Sequence, residues 1–197
     1  MTSLHSLNGS PLGCRAIQSV EIMPSESDPP IVWVPESVQS DFSSLGDTHY
    51  PLETGGIVLG YVSDGSYVVT AITDPGPKAV HSRSNYTPDN THDRAVIIKH
   101  FENTRGNDTY LGDWHTHPDA SSAMSSMDRR TLRRIADKTK DLTVLPIMMI
   151  VSGSSLSWSL SAYQYNPKVT FQFLRSKPIT MQIKSCADQQ IDILQPI

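Results

Sequence analysis

The chain of 197 residues carries 16 lysine and arginine residues against 20 aspartate and glutamate residues, which gives a formal net charge of −4. Its content of 38% hydrophobic and 18% charged residues is typical of a single globular domain and excludes wholesale disorder. The negative charge argues against nucleic acid as a partner, and the longest apolar run, residues 144–151, is too short to span a membrane.

The first 30 residues are rich in serine, proline and glycine and show no sustained hydrophobic period. They predict a poorly ordered leader, with one short strand near residues 17–23. The leader does not begin with the basic head and apolar stretch of a secretory signal, so the expected compartment is the cytoplasm. Cys14 and Cys186 lie near opposite ends of the chain, which argues against a disulfide framework.

Residues 31–165 alternate between strand patterns and helix patterns, which are separated by their hydrophobic periods. The predicted strands cover residues 31–34, 56–62, 67–73, 110–115, 147–152 and 156–163, and the predicted helices cover residues 36–45, 90–102 and 125–140. This order indicates an α/β (α+β) domain, a curved mixed β-sheet flanked by helices. Residues 166–197 form a C-terminal extension, for which extra strands are predicted at residues 169–174 and 179–183.

Two hairpin turns and one helix face are predicted from individual residues. Asp64-Gly65 is a typical turn between two antiparallel strands, and Gly153 is expected to turn the second hairpin. The helix at residues 90–102 is expected to present one apolar face, made of Val96, Ile97 and Phe101.

The stretch that indicates chemistry begins with two histidines separated by one residue. On a strand the side-chain period is two, so His115 and His117 point the same way. Pro118 ends the strand, and Asp128 follows in the first turn of the next predicted helix. Two imidazoles and one carboxylate supply three ligands of a tetrahedral Zn²⁺ ion and leave the fourth position for water. Such an open site is typical of catalytic zinc.

Hydrolysis of an amide also needs a group that moves a proton, because the leaving amine must be protonated. Glu53 is the predicted proton carrier, since it comes just before a buried strand. Gly55-Gly56 would let the backbone approach the site closely. Ser125 is predicted to donate a hydrogen bond to the oxyanion of the tetrahedral intermediate.

Each of these residues also has a simpler interpretation. Ser125 and Asp128 are close to a capping pattern at a helix N-terminus, and taken alone that is the better explanation. An isolated pair of histidines on a strand is commonly polar surface, and most glutamates are solvated. The complete combination favours the metal site, because all of its members stand at fixed offsets in the expected strand–loop–helix context.

The combination resembles the JAMM motif of the JAB/MPN/Mov34 metalloprotease family. The family motif corresponds without substitution to Glu53, His115, His117, Ser125 and Asp128. The resemblance covers about residues 39–163. It implies a single JAB/MPN domain and a zinc peptidase that cleaves ubiquitin-like conjugates or trims ubiquitin-like precursors.

A narrower resemblance is to the stand-alone bacterial branch of that family, which includes the deconjugating peptidase of type II CBASS antiphage operons. The stretches that carry it are residues 53–60, 76–79, 81–82, 87–89, 112–118 and 128–132 (ETGGIVLG, GPKA, HS, TPD, GDWHTHP and DRRTL). The substrate implied is a cGAS-like nucleotidyltransferase joined through its C-terminus to a target. The peptidase would cut just after that C-terminal residue.

Three alternatives stay open at this point. The enzyme would instead trim a ubiquitin-like or sulfur-carrier precursor, or the domain would be a non-catalytic MPN scaffold that binds partners. A third alternative is nucleic-acid binding through four arginines in the last predicted helix, at positions 129, 130, 133 and 134. Their spacing is also that of a solvated helix flank, and the negative net charge favours this simpler explanation.

Overall fold

The protein is described by a computed structural model that covers residues 29–140, 144–167 and 177–187. Strands and helices follow one another in an order close to the predicted one. The elements are β1 (Ile31–Pro35), α1 (Glu36–His49), β2 (Gly55–Ser63), β3 (Ser66–Ile72), β4 (Val80–His81), β5 (Tyr86–Thr87), α2 (Asn90–Asn103), β6 (Thr109–Pro118), α3 (Ser126–Lys138), β7 (Ile147–Ser154), β8 (Ser157–Gln164), β9 (Ile179–Thr180) and β10 (Gln182–Cys186).

The main sheet has the strand order β10-β1-β3-β2-β6-β7-β8-β9 and is mixed. Strand β1 runs parallel to β3 and β10, β6 runs parallel to β7, and the other neighbours are antiparallel. Strands β9 and β10 lie at opposite edges although Met181 alone separates them in the chain. The sheet therefore curves until its two edges nearly meet, and the predicted curved mixed sheet is confirmed.

Helix α1 and helix α3 cover parts of the sheet with separate apolar clusters. Phe42 of α1 packs edge-on against Trp114 of β6, with ring centroids 5.2 Å apart. Leu132 of α3 packs with Met148 and Ile150 of β7. Strand β7 is thus buried on both faces, which explains why its sequence is continuously apolar instead of alternating.

Helix α2 has the predicted position, but the predicted apolar face is only partly covered, since Val96 and Ile97 are partly buried. Phe101 is 50% exposed, and Asp93 is the buried residue of this helix. Polar contacts hold both ends instead. The Asp89 carboxylate accepts hydrogen bonds from the first turn, and the His100 ring contacts Asp108 just before β6. Apolar spacing predicted a helix here correctly, but the side on which it packs is determined by these polar contacts.

The second hairpin turns two residues later than predicted. Gly153 is paired within β7, and residues 155–156 form the turn, with Leu156 at a positive φ of 63°. Gly153 nevertheless has a φ of 139°, which glycine adopts more readily than other residues. A side chain there would collide with the backbone of Ser157, so this glycine serves close strand packing.

The ends of the chain are described in part. Of the C-terminal extension, residues 177–187 contribute β9 and β10 to the edges of the main sheet. The strands predicted at residues 17–23 and 169–174 lie outside the described residues, and the domain boundaries at residues 30 and 165 stay predictions. Within the described part of the chain, no helix combines the length and the apolar character needed to cross a bilayer.

Candidate metal centre

Strand β6 carries the two histidines and is fixed on both sides by neighbouring strands. His115 pairs with Gly55 of β2 on one side and with Ile150 of β7 on the other. The period of two leaves both imidazoles on the face opposite Trp114 and Thr116, which are fully buried. The ligand-bearing end of β6 is therefore positioned by the central part of the sheet.

Asp128 enters the site from the first turn of α3, where a capping box fixes it. The backbone N–H of Ser125 donates to Asp128 Oδ2 at 2.6 Å, and the N–H of Asp128 donates to Ser125 Oγ at 3.1 Å. The capping interpretation of this pair is thus correct as structure. It does not compete with a metal site, because the cap aims the Asp128 carboxylate at the two histidines.

The three side chains converge on one point with their donor atoms. His115 Nε2 lies 3.0 Å from His117 Nε2, 3.4 Å separate His115 Nε2 from Asp128 Oδ1, and 3.5 Å separate His117 Nε2 from Asp128 Oδ2. Ligands about 2.0–2.1 Å from a tetrahedral ion are roughly 3.3 Å apart. The spacing of these nitrogen and oxygen atoms therefore fits one bound metal ion.

A backbone carbonyl orients one of the two imidazoles. His117 Nδ1 lies 2.9 Å from the carbonyl oxygen of Ser121, which accepts only. Nδ1 must therefore carry the proton, and the lone pair of Nε2 faces the other donor atoms. Ser121 was not singled out from the sequence, since this contact is made by main chain in a loop of small residues.

His115, His117 and Asp128 (the triad) lie so close together that their charges change the pKa values of His117 and Asp128. Burial raises the pKa of the Asp128 carboxyl, but the polar contacts with His115 and His117 outweigh it and hold that pKa well below its usual range. The polar contact with the Asp128 carboxylate raises the pKa of His117, against the effect of burial. A carboxylate that stays ionised next to two imidazoles is an attractive place for a cation.

Glu53 lies two residues before β2 and across from His117. The register pairs Gly55 with His115, and a backbone hydrogen bond from the N–H of Thr116 to the carbonyl oxygen of Thr54 continues this pairing toward Glu53. Burial raises the pKa of the Glu53 carboxyl, while the nearby His115 and His117 lower it. The side chain is therefore half-buried and within the electrostatic reach of the triad.

Other residues considered from the sequence have mainly structural contacts. Asp113 points to the same face as His115 and accepts a hydrogen bond of 2.8 Å from the Tyr110 hydroxyl. His81 Nδ1 lies 3.0 Å from the carbonyl oxygen of Glu53, and its ring stacks on His49. The four arginines of α3 are exposed, and the guanidinium of Arg129 donates to the carbonyl oxygen of Met124 at 2.7 Å.

The structure thus brings Glu53, His115, His117, Ser125 and Asp128 together, and the functions predicted for them stay predictions. Sequence reasoning missed the hydrogen bonds that hold them. Thr116 stands between the two histidines and its hydroxyl contacts Thr54. A hydroxyl residue between two candidate ligands is the sequence signal that would have drawn attention to it.

Comparison with known proteins agrees with this geometry. Residues 35–161 match the family model described as prokaryotic homologs of the JAB domain. The chain is 36% identical over 132 residues to the probable metalloprotease y4qB of Sinorhizobium fredii, an alignment that covers 66% of this chain and 80% of that protein. Helices and strands of this site lie inside the matched range.

Two further relatives carry the name CD-NTase/cGAS isopeptidase. The one from Vibrio cholerae is 29% identical over 99 residues, covering 49% of this chain and 64% of its own length. The one from Escherichia coli is 28% identical over 117 residues, covering 59% and 72%.

A solved structure shows the same fold at low sequence similarity. The solution structure of protein DSY2949 from Desulfitobacterium hafniense superposes with a TM-score of 0.57 at 12% identity, covering 80% of this chain and 93% of that one. The family match covers well over half of the chain and includes β2, β6 and the first turn of α3. The protein belongs to the prokaryotic JAB-domain family, whose similar members include a probable metalloprotease and isopeptidases.

Proposed function

We propose that this protein is a zinc-dependent isopeptidase of bacterial antiviral defence. It hydrolyses the bond between the C-terminus of a conjugated protein, a cGAS-like nucleotidyltransferase, and the target of that conjugation. The observation that carries the proposal is the convergence of His115, His117 and Asp128 on one point, with the Glu53 carboxylate beside them. Family membership supports a metal-dependent peptidase, and the donor set supports zinc.

The donor set is two imidazole nitrogens and one carboxylate oxygen. Zinc accepts such mixed ligands in tetrahedral geometry, and three protein ligands leave one position open. When bound, zinc supplies a Lewis acid that polarises the scissile carbonyl and lowers the pKa of water to about 7. The side chains of the triad are only 11–13% exposed, so the reaction would take place in a partly dehydrated site.

Glu53 is the residue proposed to move the proton. Its raised pKa brings the carboxyl closer to neutrality than that of a solvated glutamate, which suits a group that accepts a proton and then gives it to the leaving amine. Ser125 is proposed to donate to the oxyanion. Its Oγ accepts the cap hydrogen bond from Asp128, and this leaves the hydroxyl hydrogen for donation.

The substrate is proposed from the relatives. Four similar proteins are named CD-NTase/cGAS isopeptidase, and the alignments with them span about half of this chain. That name supports a protein substrate held by an isopeptide bond, and attachment through the C-terminus of the nucleotidyltransferase is part of the proposal. The cytoplasm, which the sequence predicted as the compartment, is part of this proposal.

The decisive experiment is cleavage of a nucleotidyltransferase that bears a C-terminal fusion by the zinc-loaded protein. Cleavage directly after the last residue of the nucleotidyltransferase is the expected result. Cleavage of a ubiquitin-like precursor alone would favour the trimming enzyme. A protein that binds no metal and cuts neither substrate would be a scaffold.

Glu53→Gln tests the assignment of the proton carrier. We expect turnover to fall by about 10²–10⁴-fold, because general acid–base catalysis contributes that much. Zinc content should stay at the wild-type level, since Glu53 is not a ligand. Glu102→Gln is the matched control, an exposed glutamate on α2 that should leave the rate unchanged. Wild-type turnover of the Glu53→Gln variant would refute the assignment.

A further inference from the structure

The position of Glu53 depends on contacts outside the regular sheet ladder. Strand β2 begins at Gly55, so Glu53 and Thr54 belong to neither a helix nor a strand. A residue at the end of a strand frays more readily than one inside it. A proton carrier placed there needs an additional contact to keep its carboxylate facing the triad.

The middle residue of the His115-Thr116-His117 stretch provides that contact. The N–H of Thr54 donates to Thr116 Oγ1 at 2.9 Å, and the N–H of Thr116 donates to the carbonyl oxygen of Thr54 at 2.7 Å. In a regular antiparallel pair both acceptors are main-chain carbonyls. Here the Thr116 hydroxyl takes the place of one carbonyl, and both threonines are 0% exposed.

This two-bond contact extends the register of the β2–β6 ladder one residue beyond its end, toward Glu53. With Thr54 joined to Thr116, Gly55 lies opposite His115 and Glu53 comes opposite His117. Directly opposed residues of antiparallel strands point to the same face. A shift by one residue would turn Glu53 to the other face of the sheet, away from the triad. The other side of Glu53 is held by its backbone N–H, which donates to the Ser82 carbonyl at 2.7 Å.

We infer that Thr116 is a positioning residue, whose hydroxyl holds the Thr54 backbone so that the Glu53 carboxylate faces His115, His117 and Asp128. This inference rests on the proposed function of Glu53. The Thr116 hydroxyl thus differs in function from the two histidines beside it. It positions Glu53, the proposed proton carrier, whereas His115 and His117 are the candidate metal ligands.

A merely structural hydroxyl would behave differently on substitution. Loss of a buried hydrogen bond anywhere in the sheet lowers thermal stability. Loss of a positioning contact in addition lowers kcat with little effect on KM or on zinc content. A misplacement of about 1 Å can reduce turnover by as much as 10²-fold.

The experiment compares Thr116→Val with Thr116→Ser. Valine keeps the shape of threonine but cannot accept the Thr54 N–H, whereas serine keeps the hydroxyl. For the nucleotidyltransferase fusion we expect Thr116→Val to lower kcat by about 10–100-fold at unchanged KM and zinc content. Thr116→Ser should retain most of the wild-type kcat.

Thr73→Val is the matched control. The Thr73 hydroxyl is buried and accepts the N–H of Ile57 of β2 at 2.9 Å, a similar bond on the other side of the same strand. We expect Thr73→Val to lower the Tm as much as Thr116→Val while kcat stays near the wild-type value. Equal losses of kcat in the two variants, or none in Thr116→Val, would overturn the inference.

A crystal structure of the Thr116→Val variant tests the inference without any measurement of enzymatic activity. We expect the Glu53 carboxylate to be displaced from the triad while His115, His117 and Asp128 keep their places. A Glu53 in its wild-type place would overturn the inference, even if the wild-type protein cut no nucleotidyltransferase fusion. Failure of the proposed function and failure of this inference are therefore distinguished.

Discussion

Strand β6 has a histidine–aspartate cluster at each end, and the two clusters differ in how closely their atoms approach. At its start, His100 Nε2 lies 2.7 Å from Asp108 Oδ2, and the Thr70 hydroxyl donates to the same oxygen. At its end, 3.4–3.5 Å separate the nitrogens of His115 and His117 from the Asp128 oxygens. Ordinary hydrogen bonds of this kind are about 2.7–3.2 Å long.

The difference teaches how a structural pair is distinguished from a candidate metal site. In the first cluster the donors and the acceptor are already in direct contact, so the pair joins α2 to the sheet and leaves no space for an ion. In the second, three donor atoms face a common point from distances that fit ligands around a metal. Residue types alone would not separate the two clusters.

The largest expected effect is on bound zinc, which a substitution in the second cluster should remove and a substitution in the first should leave unchanged. His115→Ala should reduce bound zinc from one ion per chain to less than about a tenth, because only two protein ligands remain. His100→Ala should keep all of its zinc and lose about 1–3 kcal/mol of unfolding free energy, because Asp108 is then left buried without that hydrogen bond. Elemental analysis and chemical denaturation measure the two quantities. Full zinc occupancy in His115→Ala would contradict the comparison.

A smaller effect is expected at Asp93, a third carboxyl near β6 that matches neither cluster. It is 6% exposed, and its Oδ1 has no hydrogen-bond partner among the described residues. Burial, and next the charge of Asp113, raise the pKa of Asp93 to about 6. A carboxyl with a raised folded-state pKa costs stability because its charged form is buried. The cost grows as the pH rises above the unfolded-state pKa of about 4 and is complete above the folded-state pKa.

Asp93→Asn should therefore stabilise the protein by about 1–3 kcal/mol at pH 7. The gain should shrink as the pH falls through about 6 and vanish below about 4, where both side chains are neutral. Thermal unfolding across this pH range provides the measurement. An Asn variant that is less stable than the wild type at pH 7 would show that the Asp93 carboxylate has a favourable partner.

The smallest expected effect concerns the triad without its metal. The nearby Asp128 carboxylate raises the pKa of His117, so protonated His117 stabilises the fold. This contribution is complete below the unfolded-state pKa of about 6.5 and is lost as the pH rises through the raised pKa. The Tm of chelator-treated protein should therefore fall as the pH rises above about 6.5 and through the raised pKa of His117.

Asp128→Asn is the control for this pH dependence, because it removes the partner that raises the pKa of His117 and keeps every other titrating group. We expect the fall in Tm across the same pH range to be smaller in this variant. Identical pH profiles of the two metal-free proteins would show that Asp128 and His117 do not interact as the structure indicates.

The strands and helices of this protein were predictable because each depends on residues that are close in the chain. The continuous apolar run of β2 indicated a buried strand, and Asp64-Gly65 indicated the turn that both residues form with positive φ. The side of α2 that packs was not predictable. Its apolar residues Ile98 and Phe101 are half exposed, and the contact of His100 with Asp108 fixes the helix instead.

The sequence by itself determined the candidate ligands, because a period of two and the first turn of a helix fix where His115, His117 and Asp128 point relative to their own backbones. Only the tertiary structure decided that these atoms meet and that Glu53 joins them. Glu53 and His117 are brought together by the pairing of Thr54 with Thr116, residues 62 positions apart in the chain. Local periodicity contains no information about this register, because the packing of whole strands against one another determines which residues are paired.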